Sequence, residues 1–433
     1  MQTESLIKTE QKHMEIGGVA VTELAKKYGT PLFVFDQKYI EDISLTYKNS
    51  LEKYYGEGLV LYASKAFSAK GIYRLIGGLG LGCDVVSGGE LYTALSAGFN
   101  PDKIYFHGNN KTFAELNFAI ENKIQCIVVD SLQEAEEIDN ICAQKNCMQN
   151  VLIRVNPGVE AHTHHYVQTA KISSKFGFSI CNGDAENAVQ FVSKLKNLNL
   201  LGLHCHIGSQ IFEIKSFLIA TDKMLNFYHE LKNKYSIEFS VLNLGGGFGI
   251  HYNDDDPKLS LLDYENFIKE ISNKVKEKVS NLGLKKPFLI LEPGRSIVAV
   301  AGTTLYTVGN IKEIKDVKTY LSVDGGMFEN PRFALYQAKY STIAPEKLDK
   351  PLTKTYTIAG KCCESGDIIA EDVKLPEMQK GDLLAVLATG AYNYSMASNY
   401  NRNLVPPVVI VKDGKSEYLV KPQTYEDLVR NDV

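Results

Sequence analysis

The sequence predicts an α/β fold: a (β/α)8 barrel of the TIM type, followed by a second, β-rich domain. Three observations predict it. Eight short apolar runs alternate with amphipathic stretches between about residue 58 and residue 292. The runs are nearly continuous in apolar residues, as strands buried on both faces of a parallel sheet are. After about residue 300 the texture changes to strand-like runs separated by turn signals.

The predicted barrel strands are GLVLYAS (58–64), LGCDVV (81–86), KIYFHG (103–108), IQCIVVD (124–130), VLIRVN (151–156), LLGLHCHI (200–207), FSVLNLG (239–245) and PFLILE (287–292). Helical periodicity lies between them in FAELNFAIENK (113–123), LQEAEEIDNICAQK (132–145) and SFLIATDKMLNFYHELKNK (216–234). Eight βα units in about 235 residues fit a closed barrel better than an open doubly wound sheet. The segment 157–199 is the one irregular interval. Beyond the barrel, TTLYTVGNIKEI, TYLSVD, KTYTIAG, DLLAVLA and PPVVIVKDGKSEYLV read as strands, and Asp413-Gly414 as a hairpin turn. The opening GVAVTELAKKYGTPLFVFD can pack with either domain. The division drawn assigns 36–295 to the barrel and 1–35 with 296–433 to the β-rich domain, a β-barrel or sandwich.

Composition narrows the function. The 433 residues are 44% hydrophobic and 23% charged, with a net charge of −4. That balance argues against nucleic acid or an anionic membrane as partner. There is no apolar run of spanning length, and the polar N-terminus lacks a signal-peptide core, so a cytoplasmic protein is expected. The eight cysteines include no C-x-x-C pair and read as reduced thiols, with the adjacent Cys362 and Cys363 set apart.

In such a barrel the C-terminal ends of the strands form the active face. They carry Lys65, His107, His204 and His206, then Gly245-Gly246-Gly247, and finally Glu292-Pro293-Gly294-Arg295. Three successive glycines let backbone N–H groups approach a phosphate closely, and Arg295 lies one strand away. A lysine, a phosphate site and a nearby acid suggest pyridoxal 5'-phosphate. Lys65 would hold its aldehyde, the glycines with Ser209 and Arg295 its phosphate, and Glu292 its protonated pyridine nitrogen. Small neighbours on a buried rim would desolvate Lys65 and lower its amine pKa. The plainer alternatives are a flexible glycine turn, a snorkelling surface lysine and an ordinary i,i+3 ion pair between Glu292 and Arg295.

The ordered motifs YASKA (62–66), GCDVVSGGEL (82–91), IYFHGNNKT (104–112), NPGVEAHTHHYVQTAKISSKFGF (156–178), HCHIGSQ (204–210), LNLGGGFGI (242–250) and EPGR (292–295) cover the barrel. VDGGMFENPRFALY (323–336), CESGD (363–367), GAYNYSMASNYN (390–401) and TYEDL (424–428) cover the rest. Together they resemble the pyridoxal-phosphate-dependent group IV, or alanine-racemase-fold, decarboxylases. The resemblance implies that Lys65 binds the cofactor and His206 lies against its ring. It implies that Ser209, Gly245, Gly246, Gly247, Arg295 and Tyr392 hold the phosphate, with Glu292, Pro293 and Gly294 completing the set. It further implies a homodimer with a shared active site, in which Cys363 and Glu364 come from the partner subunit and Cys363 returns a proton after CO2 leaves.

For the substrate, the resemblance assigns Arg295, Arg332, Tyr336, Glu364 and Tyr392. Arginine suits a distal carboxylate, and Glu364 a distal ammonium. The implied reaction is decarboxylation of meso-2,6-diaminopimelate to L-lysine, the last step of lysine biosynthesis. Sibling decarboxylases for ornithine, arginine or carboxynorspermidine, a racemase and a non-catalytic homologue are the alternatives. Arg332 speaks against the first two substrates, Glu292 against a racemase, and Lys65, Cys363 and Glu364 against loss of catalysis. His204, His206 and the HTHH run (162–165) lack a metal-ligand spacing, so no metal is expected.

Overall fold

The computed structural model describes residues 7–8, 13–159 and 174–433. The HTHH run and most of the N-terminal stretch read for a signal peptide lie outside the described residues. The chain forms two compact units: Ile43–Gly249 with Leu259–Ser296, and Met1–Asp42 with Ile250–Lys258 and Ile297–Val433.

The first unit is the barrel. Its strands are β1 (Gly58–Ala63), β2 (Gly82–Val85), β3 (Ile104–Phe106), β4 (Cys126–Val129), β5 (Gln149–Asn156), β6 (Leu198–His204), β7 (Val241–Asn243) and β8 (Phe288–Leu291). Each pairs in parallel with its neighbour in sequence. Strand β8 pairs with β1 through Leu289–Gly58, Ile290–Leu59 and Leu291–Val60, which closes the sheet. Leu61, Tyr105, Cys126, Val128, Leu152, Val241 and Ile290 form one buried cluster drawn from six of the strands. Ile127 and Val129, the residues alternating with that layer in β4, are buried too. Burial on both faces is why β4 reads as an unbroken apolar run.

The surrounding helices start where short polar caps allow. Thr112 and Glu115 form a capping box ahead of the Phe113–Glu121 helix, and Ser131 caps Leu132–Lys145, which ends on a left-handed Asn146. The stretch predicted at 216–234 is the Ile214–Tyr235 helix. The irregular interval contains a helix, Asp184–Val192, and a short strand, Phe178–Ser179, beside β5.

The second unit is a β-rich sheet organised around β9 (Gly302–Ile314). Also in it are β10 (Lys318–Val323), β11 (Lys354–Ala359), β12 (Ile368–Leu375), β13 (Leu383–Leu387), β14 (Val408–Lys412) and β15 (Lys415–Val420). The N-terminal Leu32–Asp36 strand lies between β9 and β14, antiparallel to the former and parallel to the latter. Leu32, Val34, Leu305, Ala385, Val409 and Val411 share one core with Met14, Ile16 and Leu24, which fixes the N-terminal segment here. In the β14–β15 hairpin Asp413 and Gly414 both have positive φ, as a type I′ turn requires. Strand β12 was not anticipated, because Glu371 and the left-handed Asp372 interrupt its alternation. Among the described residues, no helix is long and apolar enough to cross a membrane.

Candidate active site

Lys65 follows β1 on a single turn, Ser64–Ala66. Its neighbours fix that turn. Ser64 Oγ donates to Glu90 Oε2 at 3.0 Å, and Glu90 Oε2 also accepts Val86 N–H at 2.8 Å. The Ala63 N–H donates to Pro293 O at 3.1 Å. Ser64 and Ala66 are buried, but Lys65 itself is exposed. The burial expected at this rim holds for Ser64 and Ala66 and not for Lys65. The lysine charge still reaches the barrel interior, lowering the carboxyls of Asp84 and Glu90, which burial raises more strongly. It also adds to the burial that holds the His206 ring well below its ordinary pKa.

The glycine turn follows β7. Gly245 and Gly247 have positive φ, 65° and 110°. A Cβ at Gly246 would lie 1.9 Å from Glu292 O, and one at Gly247 would lie 2.2 Å from Gly208 O. No side chain fits there, and the peptide groups of two neighbouring loops close on the turn. The His206 ring lies beside it, with Nδ1 3.4 Å from Gly246 N. Arg295 is buried, and its Nε and Nη2 donate to Ser209 Oγ at 3.2 and 2.9 Å. Main-chain donors without Cβ atoms, a guanidinium and a hydroxyl are the donor set a phosphate requires.

Glu292, at the end of β8, is buried and does not turn to Arg295. Its Oε1 lies 2.9 Å from His107 Nε2 and its Oε2 lies 3.2 Å from His204 Nε2. Asn243 Nδ2 donates to Oε1 at 2.7 Å. Burial alone would lift the carboxyl, but the two histidines outweigh it and hold it well below the ordinary carboxylate range. The anion is thus poised to hold a proton on a basic ring nitrogen. The His107 and His204 rings meet edge to face, with centroids 4.7 Å apart. The ligand atoms of His107, His204 and Glu292 lie within 4.8 Å of one another, and among them His204 Nε2 and Glu292 Oε2 are hydrogen-bonded. His204 ends β6, and His206 lies two residues beyond it. His107, Asn243, Asp84 and Glu90 have no role in the sequence reading; position at a strand end is a signal for His107 and Asn243, whereas Glu90 lies in the Gly88–Ser96 helix.

This network sets a pH response. Burial pushes the His204 ring from an ordinary 6.5 down to about 4. An unfolded chain takes up a proton on this ring near its ordinary pKa, whereas the folded chain refuses it until the depressed value is reached. The stability this difference provides is complete above the unfolded pKa and is lost as pH falls toward the folded one, by up to about 3 kcal/mol. Glu292, with its carboxyl held low, adds stability that is complete above its ordinary 4.5 and is lost only as pH falls below that. Thermal unfolding between about pH 7 and pH 5 is expected to be steeper for the native chain than for His204→Asn. Superimposable profiles would remove His204 from this account.

The β-rich unit carries the remaining predicted residues. Arg332 opens a short helix, Arg332–Tyr336, and its Nη1 donates to Tyr252 Oη at 3.1 Å and Tyr340 Oη at 2.5 Å. The guanidinium also lies over both rings, 5.2 and 5.7 Å from their centroids. Asn393 Nδ2 in turn donates to Tyr340 Oη at 3.3 Å. Tyr336 is exposed, and Tyr392 is half-buried with a φ of 64°. The two adjacent cysteines separate cleanly. Cys363 is exposed, its N–H donating to Asn401 Oδ1 at 2.8 Å, and Glu364 beside it is exposed. Cys362 is partly buried, its N–H donates to Asp367 Oδ2 at 2.7 Å, and burial with the Asp367 charge pushes its thiol up to about 12.

Residues 40–299 match the family model described as pyridoxal-dependent decarboxylase, pyridoxal binding domain. The chain is 49% identical to the diaminopimelate decarboxylase of Bacillus subtilis (strain 168), over 97% of this chain and 95% of that one. It is 50% identical to the diaminopimelate decarboxylase of Bacillus methanolicus, over 95% of each. Among solved structures, the diaminopimelate decarboxylase from M. jannaschii in co-complex with L-lysine is similar, with a TM-score of 0.90 and 37% identity. That match covers 99% of this chain and 97% of the other.

Proposed function

The chain belongs to the pyridoxal-dependent decarboxylases, and on that footing we propose that it converts meso-2,6-diaminopimelate to L-lysine and CO2 using pyridoxal 5'-phosphate. The observation that carries the reaction class is Glu292. A buried carboxylate kept ionised by His107, His204 and Asn243 keeps a pyridine nitrogen protonated. The near full-length similarity to proteins named diaminopimelate decarboxylase carries the substrate.

The residues fit the cofactor. When bound, pyridoxal phosphate supplies an electron sink conjugated to the substrate α-carbon. Lys65 would hold it covalently and release it to the incoming amino group. Gly245, Gly246, Gly247, Ser209, Arg295 and Tyr392 would bind its phosphate, with Pro293 and Gly294 shaping the turn. His206 would lie against the ring. Arg332 would grip the distal carboxylate, helped by Tyr336, Tyr392 and Arg295, and Glu364 would pair the distal ammonium. Cys363 would return the proton to the α-carbon after CO2 departs, while the suppressed thiol of Cys362 would stay out of the chemistry. Cys363 and Glu364 would come from the partner subunit of a homodimer, making assembly obligatory for activity. A cytoplasmic location accords with reduced, scattered cysteines.

The test is CO2 release from meso-diaminopimelate set against ornithine, with the protein's absorbance at about 420 nm followed before and after borohydride. Turnover of diaminopimelate alone, with a band that borohydride removes, is expected; turnover of ornithine instead would overturn the substrate reading. Arg332→Ala is expected to raise KM for diaminopimelate about a hundredfold while leaving cofactor affinity unchanged. An unchanged KM would take Arg332 out of the substrate site.

A further inference from the structure

Asn243 ends β7 and is fully buried. Its side chain makes two hydrogen bonds of opposite polarity. Nδ2 donates to Glu292 Oε1 at 2.7 Å, and Oδ1 accepts the Gly245 N–H at 2.9 Å. The orientation is forced: a peptide N–H only donates and an ionised carboxylate only accepts, so the amide fits between them one way round. The main chain closes the same circuit, because Glu292 N donates to Gly245 O at 2.8 Å. One side chain therefore ties the carboxylate to the first residue of the glycine turn.

We infer that Asn243 is a positioning residue, which fixes the glycine turn relative to Glu292 and keeps a second anion away from that carboxylate. The inference rests on the cofactor reading above. A ligand with a phosphate at one end and a basic ring nitrogen at the other needs its two anchors at a set separation. Asn243 is the described side chain bonded to both anchors.

Aspartate at 243 would keep the bond to Gly245 and replace the donor facing Glu292 with a carboxylate. The charged and titratable groups felt around Glu292 are His107 just after β3, His204 and His206 at and beyond the end of β6, Arg154 from β5 and Asp84 from β2, with the buried Tyr105, Cys126 and Cys205. Asp84 is already a buried acid, lifted by burial and then by Glu292 itself. A further carboxylate against Glu292 is tolerated only if one of the two takes a proton, so the pair no longer presents both a fixed donor to Glu292 and a fixed charge to the ring nitrogen.

The experiment ranks variants by affinity. Purified chain stripped of cofactor is titrated with pyridoxal 5'-phosphate, and the visible absorbance reports binding without turnover. Asn243→Ala is expected to bind about ten- to hundredfold more weakly than the native chain. Asn243→Asp is expected to bind more weakly still, by about a further tenfold, although it is closer in shape. A residue that merely fills space gives the reverse order, with aspartate tolerated better than alanine, and that order would overturn the inference. If the aspartate variant does not fold, Asn243→Leu replaces it: native-like affinity in a side chain of similar size without polarity overturns the inference, and alanine-like loss supports it. Failure of the native chain itself to bind the cofactor would instead sink the proposed function.

Discussion

Replacing Lys65 with alanine is expected to abolish the visible absorbance of the loaded protein and cut turnover at least about a thousandfold. The stripped protein should lose almost no stability. Lys65 is exposed, whereas its turn is held by Ser64, Ala63 and their partners Glu90 and Pro293, so truncation leaves those bonds in place. A surface side chain with no packing role changes stability by less than about 0.5 kcal/mol. This separation matters because exposure revives the plain alternative of a solvated lysine. A solvated lysine predicts no loss in either measurement, and a structural lysine predicts loss of stability with activity. Loss of absorbance and turnover at constant stability is the signature of an amine that reacts. Retained turnover in Lys65→Ala would end the mechanism.

The barrel was legible because its strands are buried on both faces, so each announces itself as an apolar run. The glycine turn was legible for a related reason: Gly246 sits where a Cβ would come within 1.9 Å of a neighbouring carbonyl, and only one residue type survives there. What stayed hidden depends on contacts distant in the chain. Asn243 and Glu292 are 49 positions apart, and nothing in either local pattern marks them as partners. Arg332 and Tyr252 are 80 apart, and Tyr252 sits in the Ile250–Lys258 segment, which joins the β-rich unit while its sequence neighbours remain in the barrel. Glu292 and Arg295 do not form the ion pair that their i,i+3 spacing also allows: the carboxylate meets His107 and His204, and the guanidinium donates to Ser209. Small neighbours predict a buried backbone and say little about where a four-carbon side chain leaves it, and here Ser64 and Ala66 are buried while Lys65 is exposed.

Mixing two inactive variants is expected to restore activity if the site is shared between subunits. Lys65→Ala lacks the proposed cofactor lysine and keeps Cys363; Cys363→Ala keeps the lysine and lacks the proposed proton donor, which should lower turnover about a hundredfold. Let the two exchange subunits in equal amounts. Half of the dimers are then mixed, and each mixed dimer has one site with both lesions and one with neither, so about a quarter of native turnover should return. A site completed within a single chain contains one lesion in every arrangement and recovers nothing. The exposed thiol of Cys363, beside the exposed Glu364, is the sequence neighbourhood through which a second chain would supply the proton. Cys362 offers a control inside the same loop. Its partly buried thiol is pushed up to about 12 and its backbone is tied to Asp367. Cys362→Ala should therefore leave turnover within about threefold of native, with no partner needed to restore it. No recovery between Lys65→Ala and Cys363→Ala would show that the proton does not come across a subunit boundary.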